Sequence, residues 1–488
     1  MSDQPGDIDR PRSRNRRVWL AWILLSALSA MILFAGLQTR DVTPTPLNLI
    51  RTAFLPGDTS HGHHQIEMGC QTCHGSPFDG AEVMQDACVK CHAAELKEAD
   101  DTHPRSKFTD PRNAERAARL DAAHCVTCHV EHRPAITHAA GVTLPNDFCV
   151  ICHDDVAKDR PSHEGLGFET CASSGCHNFH DNRALYGDFL VKHAAKPDVL
   201  DTRTVLPRDW KDVIEELYES YPIEAFPKQV LTRPDAPSGR SPATTRRDWL
   251  ETSHAQAGVN CTGCHEVAAE QGRPAVWTDH PDHTVCASCH GPEVKGFLAG
   301  RHGMRLAAGM SAMRPADARI PMQDKAAHEA LTCTSCHGAH RFDTAHAATD
   351  GCLACHADKH SLAFSESPHA QLMAQERKGD LPAGSGVSCA TCHMPRIEHR
   401  TDDVRRTLVQ HNQNDTLRPS EKMLRPVCMS CHSLQFSINA LADPALVARN
   451  FSGLPARHVE SIDWALKDAA RAEAERQAAR PAAEGDDP

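Results

Sequence analysis

The sequence predicts a mainly α-helical chain with extensive loops, little β structure and one N-terminal transmembrane helix. Three observations lead to this fold class. The chain has 488 residues, but only 5% are aromatic and 32 are prolines, which is a poor composition for a core built from side chains alone. An uncharged apolar run, long enough to cross a bilayer, follows a basic N-terminus. Twenty of the 22 cysteines recur at one fixed spacing.

The first predicted element is a membrane anchor over residues 18–37. Its sequence, VWLAWILLSALSAMILFAGL, carries no charge, and about twenty apolar residues suffice to cross the hydrocarbon core. Five arginines precede the run, so we expect residues 1–17 to be cytoplasmic and the rest of the chain to lie in the periplasm. Because the run exceeds a usual signal-peptide core and no A-x-A site follows it, we favour a retained single-pass anchor in the inner membrane over a cleaved signal.

The recurring cysteines form ten C-x-x-C-H strings. This spacing is the signature of covalent haem c attachment, because two thiols three residues apart can bond to one porphyrin while the next histidine reaches the iron. Zinc sites and disulfides do not require a histidine after every second cysteine. The strings are Cys70/Cys73/His74, Cys88/Cys91/His92, Cys125/Cys128/His129, Cys149/Cys152/His153, Cys261/Cys264/His265, Cys286/Cys289/His290, Cys333/Cys336/His337, Cys352/Cys355/His356, Cys389/Cys392/His393 and Cys428/Cys431/His432.

The two remaining cysteines, Cys171 and Cys176, form the string CASSGCH with His177. This string resembles the expanded C-x4-C-H attachment site of some multihaem cytochromes, including the cytochrome c3 group. Gly175 can adopt backbone conformations that other residues avoid, which would let the longer loop bring both sulfurs to one haem. A small disulfide loop is the alternative. With this site the sequence predicts eleven covalently attached haems, whose porphyrins would fill the core of a multihaem cytochrome c.

The spacing of the motifs predicts two haem-rich domains. The first holds five motifs and the second holds six. Prolines in the segment before the first motif indicate a stalk, and the highly charged C-terminus indicates a helix with a disordered tail. The predicted divisions are a stalk over 38–60, a five-haem domain with a following haem-free segment and linker over 61–240, a six-haem domain over 241–462, and the charged helix and tail over 463–488.

Two further patterns lie within these domains. In the haem-free segment Trp210, Val213, Ile214, Leu217 and Tyr221 fall at helical spacing, which predicts an amphipathic helix. The motifs also alternate between two types of flanking sequence, which indicates a haem pair repeated five times, with the Cys171 site closing the first block. The charged helix after Ile462 could dock to a respiratory complex, although a solvated terminal helix is the commoner structure.

Each iron also needs a second axial ligand, or leaves that position open. The 33 histidines include 22 that are not part of a motif, twice the number that full bis-histidine ligation requires. Upstream placement and a recurring C-H-x-x-H pattern predict the distal ligands His64, His124, His132, His163, His180, His254, His302, His328, His340, His369 and His411. The other candidates are His61, His63, His103, His138, His283, His346, His360, His399 and His458. A methionine among Met304, Met310 and Met313 is an alternative ligand, although such a cluster more often serves packing.

The last part of the chain resembles a known superfamily. SCATCHMPR at residues 388–396, the following VQHNQNDTLRP, and VCMSCHS at residues 427–433 are similar to the end of the pentahaem nitrite reductases, which are related to octahaem hydroxylamine oxidoreductases. The resemblance implies that His411 is a distal ligand. The catalytic signatures of these enzymes are missing, because no C-x-x-C-K string occurs and all three tyrosines lie outside this block. The first block resembles c3- and c7-type electron-transfer domains.

These features predict a periplasmic cytochrome that carries electrons through bis-histidine haems. The donor would be a quinol-oxidising membrane partner and the acceptor a periplasmic or outer-membrane protein, in anaerobic or inorganic respiration; neither the direction of flow nor the oligomeric state follows from the sequence. A net charge of -12 and no basic block after Arg17 argue against nucleic acid as a partner. The alternative is a terminal reductase of nitrite, hydroxylamine or a sulfur oxyanion at an open haem. Its candidate anion pocket contains Arg301, His302 and Arg305.

We expect the intact mass of the purified protein to correspond to eleven haems. Replacing both Cys171 and Cys176 with serine should lower that mass by one haem, because thioether bonds can no longer form at this site. The matched control, Cys70→Ser with Cys73→Ser, should also remove one haem. A Cys171→Ser/Cys176→Ser protein with an unchanged haem number would show that the two cysteines form a disulfide loop instead.

Overall fold

The structure is a computed structural model of the 488-residue chain. It describes residues 12–38, 55–75, 80–138, 141–145, 147–164, 178–181, 187–201, 206, 231–267, 275–401, 404–417 and 420–479. In these ranges helices predominate and strands are confined to two short hairpins, so the predicted mainly helical class is confirmed. The motif formed by Cys171, Cys176 and His177 lies outside the described residues, as does the predicted helix around Trp210.

Most described helices are only one turn long. Those of seven residues or more are α1 (Arg12–Gln38), α2 (Ala81–Glu98), α3 (Gly187–His193), α4 (Ala243–Leu250), α5 (Gly291–Ala299), α6 (Pro368–Lys378), α7 (Leu434–Leu441) and α8 (Ser461–Ala479). The short α-helices are Cys70–Cys73, Arg105–Thr109, Ala114–Ala117, Cys125–Cys128, Val150–His153, Val156–Asp159, Ser253–Gln256, Thr262–His265, His283–Ala287, Met304–Ala307, Cys333–His337, Thr344–Ala347, Asp350–Leu353, Lys359–Ala363, Cys389–His393, Asn414–Leu417 and Pro444–Ala448. The 3₁₀ turns are His64–Ile66, Pro111–Asn113, Pro134–Ile136, Pro161–His163, Pro315–Asp317, Asp324–Ala326, Phe364–Glu366, Ser420–Met423 and Cys428–Ser430.

Two antiparallel hairpins interrupt the helices. β1 (Glu266–Val267) pairs with β2 (Val276–Trp277) directly after the Cys261 motif. β3 (Arg396–Thr401) pairs with β4 (Val404–Val409), with Arg396 opposite Val409. This second hairpin starts just after the Cys389 motif and ends just before His411, so its strand pairing holds His411 close to that motif in space.

The N-terminal helix α1 contains the predicted membrane span. Its described side chains are apolar and exposed, including Val18 (64%), Trp19 (63%), Trp22 (62%) and Leu24 (68%). Among the residues whose placement is described, none belongs to a helix that is both long and apolar enough to cross a bilayer. The described part of the chain therefore does not support the predicted transmembrane helix.

One compact cluster of buried apolar side chains joins three helices near the C-terminus. Leu190 of α3, Leu434 and Ile438 of α7, and Ile462 and Ala465 of α8 pack together in this C-terminal cluster. Leu434 is completely buried, and Ile462 is only 3% exposed. The start of α8 is thus packed rather than solvated. Because α3 lies in the predicted five-haem domain, this contact crosses the boundary that the sequence places near residue 240.

Three arginines of the second block bind the backbone of the first block, at what we call the arginine joint. The bonds run from Arg301 Nη1 to the His61 carbonyl (3.1 Å), from Arg305 Nη1 to the Gln65 carbonyl (3.0 Å) and from Arg319 Nη1 to the Thr59 carbonyl (2.9 Å). Arg319 also pairs with Glu67 at 2.7 Å. Arg305 is only 3% exposed. Because a charged donor forms strong hydrogen bonds when it is shielded from water, the buried Arg305 contributes most to holding the two blocks together.

Candidate haem-binding sites

Each described C-x-x-C-H motif lies on a single helical turn or within a longer helix. In seven motifs the histidine N–H donates to the carbonyl of the first cysteine, at 2.8–3.0 Å: His74 to Cys70, His129 to Cys125, His153 to Cys149, His265 to Cys261, His290 to Cys286, His356 to Cys352 and His432 to Cys428. Residues i and i+3 of a helical turn share a face. The spacing therefore places both cysteines on one side of the turn, with the histidine at its end.

Two of these turns are fixed by their preceding residue. Thr332 and Ser388 form reciprocal capping boxes with the serine or threonine three residues later, at the start of the Cys333 and Cys389 turns. A capping box satisfies backbone N–H groups that a short helix cannot bond internally. The small polar residues beside these cysteines thus hold the attachment turns in shape.

The cysteines and histidines surround a large internal space. All twenty described cysteines are free thiols, so none of the ten described motifs is a disulfide. Nineteen of them line one connected cavity of about 6370 Å³. Pockets for single ligands are usually about 300–1,000 Å³. The cavity is therefore several times larger than one ligand requires, as expected if many cofactors fill the core.

Cys152 is the described motif cysteine that does not line this cavity, contrary to the expectation that both cysteines of every motif face the haem space. The reason is the position of its turn. Cys149 reaches the cavity wall, whereas Ile151 and His153, on either side of Cys152, are exposed at the surface. The backbone still forms the attachment turn, since the N–H of Cys152 donates to the Cys149 carbonyl at 3.2 Å. The role of Cys152 in haem attachment therefore stays a prediction from the motif spacing.

Nine of the ten described motif histidines face a second imidazole. The ring centroids are 5.7–6.4 Å apart, and we call the second residue the facing histidine. The pairs are His92 with His63 (5.9 Å), His129 with His180 (6.4 Å), His153 with His103 (6.0 Å), His265 with His340 (5.7 Å), His290 with His254 (6.0 Å), His337 with His411 (6.3 Å), His356 with His302 (6.2 Å), His393 with His360 (6.0 Å) and His432 with His369 (6.3 Å).

This spacing fits a haem iron between the two rings. A metal–imidazole bond is about 2 Å long and the ring centre lies roughly 1 Å further out, so two imidazoles on opposite sides of one metal have centroids about 6 Å apart. The interplanar angles range from 13° for His265–His340 to 87° for His254–His290. Two imidazoles bound to the same metal can rotate independently about their metal–nitrogen bonds, so the angle between their ring planes can vary. The cysteines would hold the porphyrin, the imidazoles would hold the iron, and the bound haem would supply one-electron redox chemistry.

Hydrogen bonds at Nδ1 orient many of the facing histidines. The acceptors are Glu131 Oε1 for His63 (2.6 Å), the Phe179 carbonyl for His103 (2.6 Å), Asp101 Oδ1 for His180 (3.2 Å), the Val447 carbonyl for His360 (2.5 Å) and the Val409 carbonyl for His411 (2.8 Å). A carbonyl oxygen only accepts, so Nδ1 must carry the proton and Nε2 keeps its lone pair. Metal-binding histidines commonly use their second nitrogen in this way.

Burial keeps several of these imidazoles neutral. Desolvation lowers the pKa of His302, His369 and His393 to about 4. The facing rings add to this effect, because His356 lowers the pKa of His302 and His432 lowers that of His369. The neutral imidazole is the form that binds a metal. These rings are therefore ready to bind iron at neutral pH without first losing a proton.

Six of the eleven predicted distal histidines face a motif histidine: His180, His254, His302, His340, His369 and His411. Three others have different surroundings. His64 uses Nε2 to bond the Asp317 carbonyl (3.0 Å), and His328 is exposed. His124 lies between two carboxylates, Asp121 and Glu82, which raise its pKa. The structure instead places His63, His103 and His360, which were among the other candidates, opposite motif histidines.

The last two predicted distal histidines, His132 and His163, have other described contacts. Nδ1 of His132 bonds the Gly57 carbonyl (2.7 Å), and Nδ1 of His163 bonds the Ser162 hydroxyl (3.0 Å). Among the methionines considered as ligands, Met310 and Met313 are 4% and 7% exposed. Both line the large cavity, so ligation by a methionine stays an alternative from the sequence.

The structure uses the residues of the predicted anion pocket in a different way. His302 faces His356, and both arginines belong to the arginine joint. Arg305 also donates to the Ser311 carbonyl (3.0 Å) and hydroxyl (3.2 Å). Because these bonds direct the guanidinium groups of Arg301 and Arg305 to protein oxygens, the two arginines serve the packing of the blocks.

Successive attachment sites are neighbours in space. Three pairs of thiols lie close enough for one to raise the pKa of the other: Cys125 raises that of Cys88, Cys286 that of Cys333, and Cys389 that of Cys352. Thiol pKa values show that two further pairs of motifs are close together. Burial and the nearby thiols of Cys352 and Cys355 raise the pKa of Cys336 to about 11. Burial, with Cys428 and Cys431, likewise raises the pKa of Cys392 to about 12. In the second block the described motifs from Cys286 to Cys428 therefore follow one another in chain order, and in the first block the Cys88 and Cys125 motifs are neighbours.

Comparison with known proteins agrees with this geometry. Residues 62–154 match the family model of cytochrome c3. A curated relative, the high-molecular-weight cytochrome c of Nitratidesulfovibrio vulgaris, is 22% identical over 427 residues, which are 80% of this chain and 66% of the relative. The chain thus spans slightly less than two thirds of that relative. No solved structure is significantly similar to this chain. Together with the repeated motifs and facing imidazoles, these similarities support the conclusion that the chain is a multihaem c-type cytochrome with a cytochrome c3-type region.

Proposed function

We propose that the protein is a membrane-anchored, periplasmic eleven-haem cytochrome that transfers electrons between a quinol-linked membrane donor and a periplasmic or outer-membrane acceptor. The nine facing imidazole pairs carry this proposal. An iron bound by a histidine on each side has no free position for a substrate, so such a site exchanges electrons instead of transforming a molecule. The match to cytochrome c3 supports the same role.

The order of the attachment sites supports a continuous path. Electron transfer between cofactors weakens steeply with distance, so each cofactor must lie close to the next. In the second block, the thiols of Cys286 and Cys333, and those of Cys352 and Cys389, lie close enough to shift each other's pKa. Haems attached at such neighbouring cysteines would lie close to one another.

The arginine joint supports passage between the two blocks. His63, which faces His92, lies in the segment that the three arginines bind. His302, which faces His356, is adjacent to Arg301 in the chain. The segments that hold these two facing histidines are therefore in direct contact. We propose that electrons cross between the blocks at this joint.

The proposed membrane anchor rests on the sequence, because residues 18–37 form an uncharged apolar run long enough to cross the hydrocarbon core. In the described part of this run, many apolar side chains from Val18 to Ile32 are 43–68% exposed. The five arginines before this run favour a cytoplasmic N-terminus. A cytochrome tethered in this way stays close to quinol-oxidising partners in the same membrane.

A terminal reductase is the alternative function. In the described part of the chain no contact favours it, because the two arginines of the candidate pocket bind protein oxygens and His302 faces His356. The resemblance of residues 388–433 to nitrite reductases stays a prediction. We therefore retain electron transfer as the proposed function.

The facing pairs predict different effects for two adjacent histidines. We expect His63→Ala to expose the iron held by His92, because the ligand on its other side is lost, and to produce a high-spin ferric signal equivalent to one haem. His64→Ala should leave every iron low-spin, because His64 bonds a backbone carbonyl instead. Low-temperature EPR and visible absorption of the two variants measure this difference. If the high-spin signal came from His64→Ala, the assignment of the two neighbours would be reversed.

The electron-transfer proposal predicts low-spin iron throughout. Oxidised protein should show only low-spin ferric EPR signals, unchanged by nitrite, hydroxylamine or sulfite, because both axial positions of each haem are occupied. Redox titration should show reversible reduction of all haems. A substantial high-spin signal in the unaltered protein that shifts on adding one of these compounds would overturn the proposal in favour of a reductase.

The proposed anchor predicts retention in the membrane. The haem protein should remain in the membrane fraction after carbonate washing, and its intact mass should include residues 1–37. A protease site inserted after Thr43 should release a soluble form with the full haem content. A mature protein whose N-terminus begins after residue 37, or one found in the soluble fraction, would contradict the anchor.

A further inference from the structure

The pairing of the histidines follows the same order in both blocks. We number the motifs in chain order, so that one to five lie in the first block and six to ten are the first five of the second. His92 of motif two faces His63, which lies seven residues before the first cysteine of motif one. His290 of motif seven faces His254, which lies seven residues before the first cysteine of motif six. The two arrangements match in position and in spacing.

The next two pairs match as well. His129 of motif three faces His180, which follows motif five, just as His337 of motif eight faces His411, which follows motif ten. His153 of motif four faces His103, which lies between motifs two and three. His356 of motif nine faces His302, which lies between motifs seven and eight. Three pairs thus agree between the blocks, although the intervening loops differ in length.

Contacts between thiols repeat in the same way. The first cysteines of motifs two and three, Cys88 and Cys125, lie close enough for each thiol to shift the pKa of the other. The first cysteines of motifs seven and eight, Cys286 and Cys333, do the same. These contacts involve different side chains from the imidazole pairs. They therefore give independent support to the same correspondence.

We infer that the chain contains one five-haem ligand framework twice, and that motif eleven, with its facing residue His369, is an addition to the second copy. This inference rests on the proposed haem binding. It defines a larger repeat than the haem pair suggested by the flanking sequences. The repeat assigns a second ligand to motif one. In the second copy, His265 of motif six faces His340. His132 is the corresponding residue of the first copy, so it is the second ligand of the iron that His74 would hold.

His132 has the properties that this role requires. It lies three residues after His129, as His340 lies three residues after His337. The two residues have nearly equal φ angles, 62° and 64°, in a left-handed region that non-glycine residues seldom adopt. Nδ1 of His132 donates to the Gly57 carbonyl at 2.7 Å, which leaves Nε2 with its lone pair, as in the facing histidines His103, His360 and His411.

Its neighbour in the chain also lies beside motif one. The carboxylate of Glu131 is close enough to the Cys73 thiol to raise its pKa, in addition to the effect of burial. The same carboxylate bonds His63, the facing histidine of motif two. Glu131 therefore holds the loop that carries His132 against the first two motifs.

The added eleventh site has packing of its own. His432 uses Nδ1 to bond the Asp198 carbonyl at 2.9 Å, and α7 begins shortly after it. The C-terminal cluster formed by α3, α7 and α8 surrounds this end of the second block. The position of the cluster thus agrees with an addition at the end of a complete five-haem unit.

The assignment of His132 is tested by two related variants. His132→Ala in the full-length haem protein should convert one haem from low-spin to high-spin, as seen by low-temperature EPR, and added imidazole should restore the low-spin signal. In a protein that already carries Cys70→Ser and Cys73→Ser, and so lacks the motif-one haem, His132→Ala should have no spectroscopic effect. His340→Ala in that same background is the matched control, and it should still produce a high-spin signal from motif six.

Each outcome decides the assignment. If the high-spin signal of His132→Ala persisted without the motif-one haem, His132 would bind another iron and the correspondence between the blocks would fail. If His132→Ala left all haems low-spin, the assignment would also be overturned. Should that protein not fold, His132→Met provides the second test, because methionine in place of histidine should raise the potential of one haem only. Failure of the proposed function is a separate result, since it would appear as an open iron in the unaltered protein.

Discussion

The structure depends on one constraint: two imidazoles from distant parts of the chain must be held about 6 Å apart on opposite sides of a shared centre. Helices contribute a single turn at most motifs, since one turn is enough to present two cysteines and a histidine. The second imidazole comes from a loop, a hairpin end or a helix start, as His411 does after β4. Regular secondary structure is short because the chain must change direction repeatedly to bring these pairs together.

The same constraint explains the unusual core. A chain of this length would normally bury a large apolar core. In the described part of this chain, the core cluster around Leu434 and Ile462 is small and joins only α3, α7 and α8. Elsewhere most motif residues line a cavity of about 6370 Å³. Since a site built for a metal is incomplete without it, binding and folding are coupled in such proteins. Haem attachment would therefore complete the fold as well as supply its redox chemistry, and the buried thiols would become apolar thioethers.

The features that the sequence predicts are local. The features that it does not predict depend on contacts between distant segments of the chain. The attachment turns follow from the C-x-x-C-H spacing alone, because residues i, i+3 and i+4 meet within one turn. The facing residues do not follow in this way. His63 and His64 are adjacent and identical in side chain, yet one ring faces His92 while the other bonds Asp317. The choice depends on Glu131, which lies in a distant loop and binds His63.

A motif also does not reveal how deeply its turn will be buried. Cys152 has the same spacing as the other second cysteines, but its turn lies at the surface and leaves it outside the cavity wall. The facing residue of the same motif was equally hidden from the sequence. His103 precedes motif three, whereas its partner His153 belongs to motif four, so spacing along the chain gives no indication of their contact.

A duplicated framework changes how the path of electrons should be understood. Two copies joined end to end would place the last site of one beside the first site of the other. Instead, the arginine joint brings the start of the first block, around His61 and Gln65, against the middle of the second block, around Arg301 and Arg305. Electrons that cross there would enter or leave the first block at its start and the second block away from its ends. The protein would then be a branched network with more than one exit, and the added eleventh site would extend one of its branches towards the C-terminal helices.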